Sequence, residues 1–171
     1  MLTEERVLIR EVKKEEVPQV IDFVLRVFHE VYPFQLGEAS KKQLLKMEEK
    51  YLNQKDALFV AAFNQSGEVI GTISVHRYDN RINTLHNRYD LSKTCEISKC
   101  YIDKNYRRYG IGTSLFQEAV RFCQTEALYE TLYLHTHKFL PGGFPFWKSK
   151  GFSIVLDENI ETEIVHMEMQ L

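Results

Sequence analysis

Arg107-Arg108-Tyr109-Gly110-Ile111-Gly112-Thr113-Ser114 lies between a strand-like run, Cys95 to Ile102, and a helix-like run, Ile111 to Ala127. The order is informative. Two glycines let the backbone approach a ligand closely, and a helix start behind them offers unpaired N–H groups and the positive end of a dipole. Two arginines precede the turn. Together these features describe a seat for a phosphorylated ligand.

The pattern on either side fills in a fold. Val7 to Val12 reads as a strand. Val17, Val20, Ile21, Val24, Phe28 and Val31 recur at helical spacing, with Glu15 and Glu16 suited to the first turn and Pro18 tolerated there. Tyr32-Pro33 ends this helix. Ala39 to Gln54 predicts a second, more exposed helix. Ala57 to Phe63 is apolar on both faces, as a central strand is. Asn64-Gln65-Ser66-Gly67-Glu68 then turns into a returning strand, Val69 to Arg77. Asp79 to Lys93 is polar and aperiodic and reads as a long loop.

Beyond the glycines, Ile111, Leu115, Ala119, Phe122 and Cys123 share one helix face. Leu128 to His135 is a strand, and the helical crossover makes it parallel to Cys95–Ile102. Pro141-Gly142-Gly143 is a loop. Phe144 to Lys150 is a short helix stopped at Gly151, and Phe152–Leu156 with Ile164–Leu171 forms a final antiparallel pair. The order βααβββαβαββ predicts an α+β fold around one mixed sheet, in a single domain over residues 1–171.

Composition narrows the function classes. The 171-residue length buries a sizeable core, and 44% hydrophobic with 27% charged residues is ordinary for a globular domain. A net charge of -2 gives no support for nucleic-acid binding, and the longest apolar run, Ala57 to Phe63, is far short of a membrane span. The N-terminus has no apolar signal core, so the expected location is the cytoplasm, and free thiols suit that compartment. Cys95, Cys100 and Cys123 lack CxxC spacing, so no metal site is expected. Cys95 and Cys100 have opposite parity on one strand, which sends them to opposite faces.

Three loop types compete for the glycines. A P-loop needs GxxxxGK[ST], but Thr113 follows Gly112 where a lysine belongs. A dinucleotide fingerprint needs GxGxxG, but its third glycine is replaced by Leu115 and no repeating βαβ accompanies it. The remaining type, R/Q-x-x-G-x-G/A, matches Arg107 to Gly112.

That loop, the strand Glu96-Ile-Ser-Lys-Cys-Tyr-Ile102, the turn Asp103-Lys104-Asn105-Tyr106 and the ending Phe146-Trp147-Lys148-Ser149-Lys150-Gly151-Phe152 occur in the order of the GCN5-related N-acetyltransferase (GNAT) superfamily, which the chain resembles over nearly its whole length. The resemblance implies a GNAT-like, mainly antiparallel sheet with helices on both faces and splayed central strands. It implies acetyl-CoA as acyl donor, direct transfer to an amine, and a pyrophosphate seat at Arg107, Arg108, Tyr109, Gly110, Ile111, Gly112, Thr113 and Ser114. The pantetheine arm then pairs with Cys100, Tyr101 and Ile102, much as an added strand would.

Glu96 aligns with the strand glutamate that serves as base in histone-acetylating relatives. By strict alternation it shares a face with Ser98 and Cys100. The competing reading is a salt-bridged carboxylate. His137 and His135, at the end of the next strand, are the candidate proton relays; His76 and His86 are weaker ones. Cys100 suits packing better than nucleophilic attack. Trp147 departs from the pattern, standing where many relatives carry a tyrosine that protonates the leaving thiolate. An indole N–H cannot do this, which leaves Tyr101, Tyr133, His137 or water as substitutes. It also keeps open a non-catalytic acyl-CoA sensor on the same fold.

The acceptor is a small-molecule or protein amine. In the superfamily it is chosen by the first helices and nearby loops, here Val27–Lys46 and Asp79–Lys93. Arg77, Arg81, His86, Arg88 and Tyr89 in or beside the second either hold an acceptor anion or form a mixed-charge loop. Ile164–Leu171, alternating in polarity, reads as a sheet edge through which a homodimer could form.

Overall fold

The computed structural model describes residues 5–158 and 161–171. Its sheet has seven strands: β1 (Leu8–Glu11), β2 (Leu58–Phe63), β3 (Val69–Arg77), β4 (Thr94–Ile102), β5 (Thr131–His137), β6 (Ser153–Asp157) and β7 (Ile164–Gln170). The spatial order is β1-β2-β3-β4-β5-β7-β6, antiparallel throughout except for the parallel pair β4–β5.

The helices are α1 (Val17–Val31), α2 (Glu38–Leu45), α3 (Met47–Tyr51), α4 (Ile111–Phe122) and α5 (Gly143–Ser149). The alternation along β2 divides the core. Leu58, Val60 and Ala62 join the α4 side, whereas Ala57, Phe59, Ala61 and Phe63 join α1 and α3 on the other. Burial on both faces is why β2 reads as a continuous apolar run.

Several expectations are revised. The single helix over Ala39–Gln54 is two short ones, because the chain tightens at Lys46, whose N–H reaches Gln43 O at 3.1 Å. That kink lets Leu44 and Met47 both enter the core. The helix after the glycines ends at Phe122, followed by a π turn over Cys123–Ala127, and β5 starts later and runs further than the sequence indicates. β7 is not an edge: it is paired on both sides, by β5 and β6. The sheet's open edges are β1 and β6.

The revision with most consequence is in β4. Ser74 faces Ser98 while Thr72 faces Tyr101, so β4 carries one residue more than β3 across this step. Lys99 takes the bulge with φ 52°. The hydroxyl of Thr72 donates to Lys99 O at 2.7 Å and that of Ser74 to Ser98 O at 3.0 Å, satisfying carbonyls where the ladder is broken. Past the bulge the parity inverts. Cys95 and Cys100 therefore face the same α4-side core, and Tyr101, not Cys100, shares the α1 side with Glu96 and Ser98.

Candidate active site

β4 and β5 run together for three residue pairs only: Thr94 with Thr131, Cys95 with Leu132 and Glu96 with Tyr133. Beyond that point they diverge. Ser98 to Ile102 is half-buried and lacks a partner on the β5 side, so a gap opens between the strands, with Glu96 at its apex.

The loop Arg107–Ser114 stands at the far end of β4. Its approach is fixed by Asp103, which accepts from Asn105 N and pairs with Arg26 of α1 at 3.0 Å, and by Tyr106, whose hydroxyl donates to Glu5 at 3.1 Å. Arg108 and Gly110 both adopt positive φ, 67° and 78°. Gly110 is the N-cap of α4, and the first bond of the helix is Ser114 N–H to Gly110 O. The N–H groups of Ile111, Gly112 and Thr113 precede it and point out of the helix end.

A Cβ on Gly110 would meet nothing within 4 Å, so the space before these amides is open. Among the described residues Arg107 and Arg108 form no ion pair. The ending motif closes on the same loop: Phe146 lies 3.5 Å from where a Gly112 Cβ would stand, and Lys150 Nζ donates to Thr113 Oγ1 at 2.7 Å. Convergent amides, a helix dipole and unpaired arginines fit a diphosphate. A larger concavity of about 730 Å³ lies between α1 and the 103–106 turn, but Asp22, Glu68 and Asp103 line it, which suits an anion poorly.

The structure brings Glu96 to His135 rather than to His137. Glu96 is almost wholly buried and accepts two bonds from Arg81, at 2.6 and 2.8 Å; His135 Nδ1 lies 3.8 Å away and His76 Nε2 3.9 Å. Burial pushes the Glu96 carboxyl up, but the Arg81 hydrogen bonds and charge overcome this and hold its pKa below the ordinary value. Burial lowers His135, Glu96 partly offsets the fall and Arg81 adds to it. With 38% of its side chain exposed, His135 falls less than a sealed imidazole would, yet it is neutral at pH 7.

His137 sits further out, with its ring centroid 6.4 Å from that of His135, among Tyr32, Phe34 and Phe139. Among the described residues its buried Nδ1 has no hydrogen-bond partner. The Cys100 thiol packs toward the α4-side core and burial pushes its pKa up to about 12, which keeps it protonated. Tyr101 lies on the unpaired half of β4, its hydroxyl close to that of Tyr32. Tyr133 is spent elsewhere: its hydroxyl meets His166 Nδ1 at 2.6 Å in a sealed setting.

Trp147 is a core residue, edge-on to Phe116 and Phe152. Nor does the Asp79–Lys93 loop hold an anion site. Arg81 is bound by Glu96 and Asp79, Arg77 by Asp56 and Leu91 O, and Arg88 by Glu168 at 2.8 Å. Tyr78 and Leu85 pack on Tyr133 and hold the loop down. His86 is exposed and takes no part.

Two features escaped the sequence reading. One is the Arg81–Glu96 pair, which crosses from the loop to the sheet. The other is the aromatic group around Tyr32, where Tyr32-Pro33 signalled only a helix end.

The profile of the Acetyltransferase (GNAT) family matches residues 21–152. The chain belongs to this family. Members use acetyl-CoA as their acyl donor. The probable N-acetyltransferase san of Drosophila melanogaster is 36% identical over 50 residues, which is 29% of this chain and 27% of that protein. The chain thus aligns with about a quarter of that curated relative.

Among solved structures, a GNAT acetyltransferase from Staphylococcus aureus superposes with a TM-score of 0.77 at 20% identity, covering 97% of this chain and 99% of the other. The PaiA N-acetyltransferase of Thermoplasma acidophilum, solved with coenzyme A, gives 0.69 at 18% identity, covering 97% and 99%. These two likenesses carry the fold. Among the described residues, no helix is long and apolar enough to cross a membrane, and no group of three or more His, Cys, Asp or Glu side chains could hold a metal ion.

Proposed function

We propose that the chain transfers an acetyl group from acetyl-CoA to a primary amine that attacks the thioester directly. The observation that carries this is the divergence of β4 from β5 immediately beyond Glu96, aligned with the open amides at the start of α4. Acetyl-CoA supplies an acyl group activated as a thioester.

The chain's residues do the rest. Ile111, Gly112 and Thr113 N–H groups hold the pyrophosphate, with Arg107 and Arg108 close by and Tyr109 and Ser114 at the rim. Backbone groups of Cys100, Tyr101 and Ile102, free on the β5 side, align the pantetheine arm, and an N–H here polarises the thioester carbonyl. The amine attacks in its neutral form, and His135, backed by Glu96, takes the proton that its nitrogen sheds once bonded to the carbonyl carbon, directly or through a water. Glu96 keeps the imidazole oriented, and His137 forms part of the acceptor wall.

A covalent acyl-enzyme finds no support, because the Cys100 thiol is held protonated. The sensor reading rests on Trp147 standing where many relatives carry a tyrosine acid; Trp147 is packed in the core, so the missing acid must come from elsewhere, and the test below separates the two readings. Of the tyrosines that could stand in for the missing acid, Tyr101 remains, on the unpaired half of β4; burial raises its pKa, so it donates a hydrogen bond to the leaving thiolate without ionising. The test is thiol release from acetyl-CoA across a panel of amines, alongside calorimetric titration with acetyl-CoA. Amine-dependent release is expected; binding without release on any amine would refute catalysis.

A further inference from the structure

The gap between β4 and β5 has two mouths. The α4 side ends at the amides of Ile111–Thr113. The α1 side is closed by aromatic rings. Tyr32, just past α1, stands against both diverging strands: its hydroxyl neighbours that of Tyr101 on β4, and its ring lies edge-on to His137 of β5 at 5.3 Å. Phe139 stands 5.6 Å from Tyr32 and 5.0 Å from His137. Phe34 completes the group, 5.3 Å from Tyr32 and 51% exposed. Phe28 stacks on Tyr32 at 4.1 Å from within the core and fixes its ring.

From these observations, and resting on the transferase reading above, we propose that the acceptor is an α-amine, such as a peptide N-terminus, whose first side chain is large and apolar. That side chain packs on Tyr32, Phe34, His137 and Phe139 while its amine faces His135.

Three facts converge on this class. The first is spacing. The His135 and His137 ring centroids are 6.4 Å apart, so an amine at His135 places the end of a leucine- or phenylalanine-sized side chain on the wall. The second is charge. Burial lowers the His137 pKa, against the pull of Glu163 and Glu158, so the ring is neutral at pH 7. The loop arginines are all engaged, which leaves them unavailable for an acidic side chain.

The third is basicity. Glu96 is tied to Arg81 and His135 is a weak base, so the site favours an amine that is already partly neutral. At pH 7 about a tenth of an α-amine with pKa near 8 is neutral, against roughly one in 2,500 for a lysine amine near 10.4.

The test uses short peptides that differ only in their first residue, Leu or Phe against Gly or Asp, plus an Nα-blocked lysine peptide. Two quantities are read: kcat/KM for acetyl transfer, and calorimetric affinity with coenzyme A present. The Leu and Phe peptides are expected to exceed the Gly peptide by about 10–100-fold in both, as filling an apolar site does. Phe34→Ala and Phe139→Ala should each shrink that ratio several-fold. Phe34 is exposed enough for its truncation to leave folding intact, which a thermal melt checks.

A ratio near one, or a preference for the lysine amine, overturns the inference while leaving the transferase reading standing. Failure of every amine to release thiol overturns the transferase reading instead. In that case the binding ratio still decides the aromatic wall.

Discussion

Glu96→Gln separates chemistry from architecture at the apex of the gap. The carboxylate is 3% exposed and takes two bonds from Arg81, at 2.6 and 2.8 Å. Breaking a fully buried pair costs about 3–5 kcal/mol because a charge is stranded. Arg81 is not fully stranded here: it retains Asp79 at 2.8 Å and is 40% exposed. The loss is therefore about 1–3 kcal/mol, typical of hydrogen bonds to charged groups. For a domain of this size 2 kcal/mol lowers the melting temperature by about 4–8 °C.

The sign with pH follows from linkage. Glu96 has a depressed pKa in the fold, so its contribution is present above the unfolded value near 4.3 and is lost as pH falls through the folded one. The melting gap between wild type and Glu96→Gln is thus full at pH 7 and closes in acid.

If Glu96 also orients and backs His135, kcat falls about 10²–10⁴-fold while acetyl-CoA affinity holds. The companion variant Arg81→Met/Glu96→Leu distinguishes the two roles. Replacing both partners by apolar groups restores much of the stability, but it cannot restore the rate. The assays are thermal melts across pH and steady-state acetyl transfer. Recovery of kcat in the double variant, or an unchanged kcat in Glu96→Gln, would refute the role in proton removal and leave Glu96 a structural ion-pair partner.

Other substitutions probe the remaining parts. Gly110→Ala forces a side chain into positive φ at a cost of about 1–2 kcal/mol, with no steric clash since the space is open; calorimetry should show weakened acetyl-CoA binding, and Gly110→Arg should abolish it. Trp147→Phe removes core volume and should cost about 1–3 kcal/mol in a denaturant titration, with kcat at the wild-type value; a lost rate would return Trp147 to the chemistry. Tyr133→Phe deletes the 2.6 Å bond to His166 and should cost about 1–2 kcal/mol without altering kcat, whereas a slowed rate would mark Tyr133 as a proton donor.

What was legible in the sequence was what local pattern and local chemistry decide. The Gly110–Gly112 turn announced the helix start, and the Ala57–Phe63 run announced a strand covered on both faces, because each depends on a few adjacent residues. Loop-to-sheet partnerships carry no such signal: nothing near Arg81 foretells Glu96, fifteen residues on. The Lys99 bulge is subtler. Thr94–Ile102 alternates without a glycine to mark a break, and only pairing with β3, through the hydroxyls of Thr72 and Ser74, stabilises a lysine at φ 52°. That one extra residue decides the site. Without it Cys100 would face α1 and Tyr101 would face α4. With it, Tyr101 faces the α1 side, near Tyr32, and the thiol turns into the α4-side core. Strict alternation put the wrong side chain beside Glu96 for that reason. It is also why the proposed acceptor wall, assembled from the end of α1, the bulged half of β4 and the end of β5, could be argued only once the register of β4 on β3 is known.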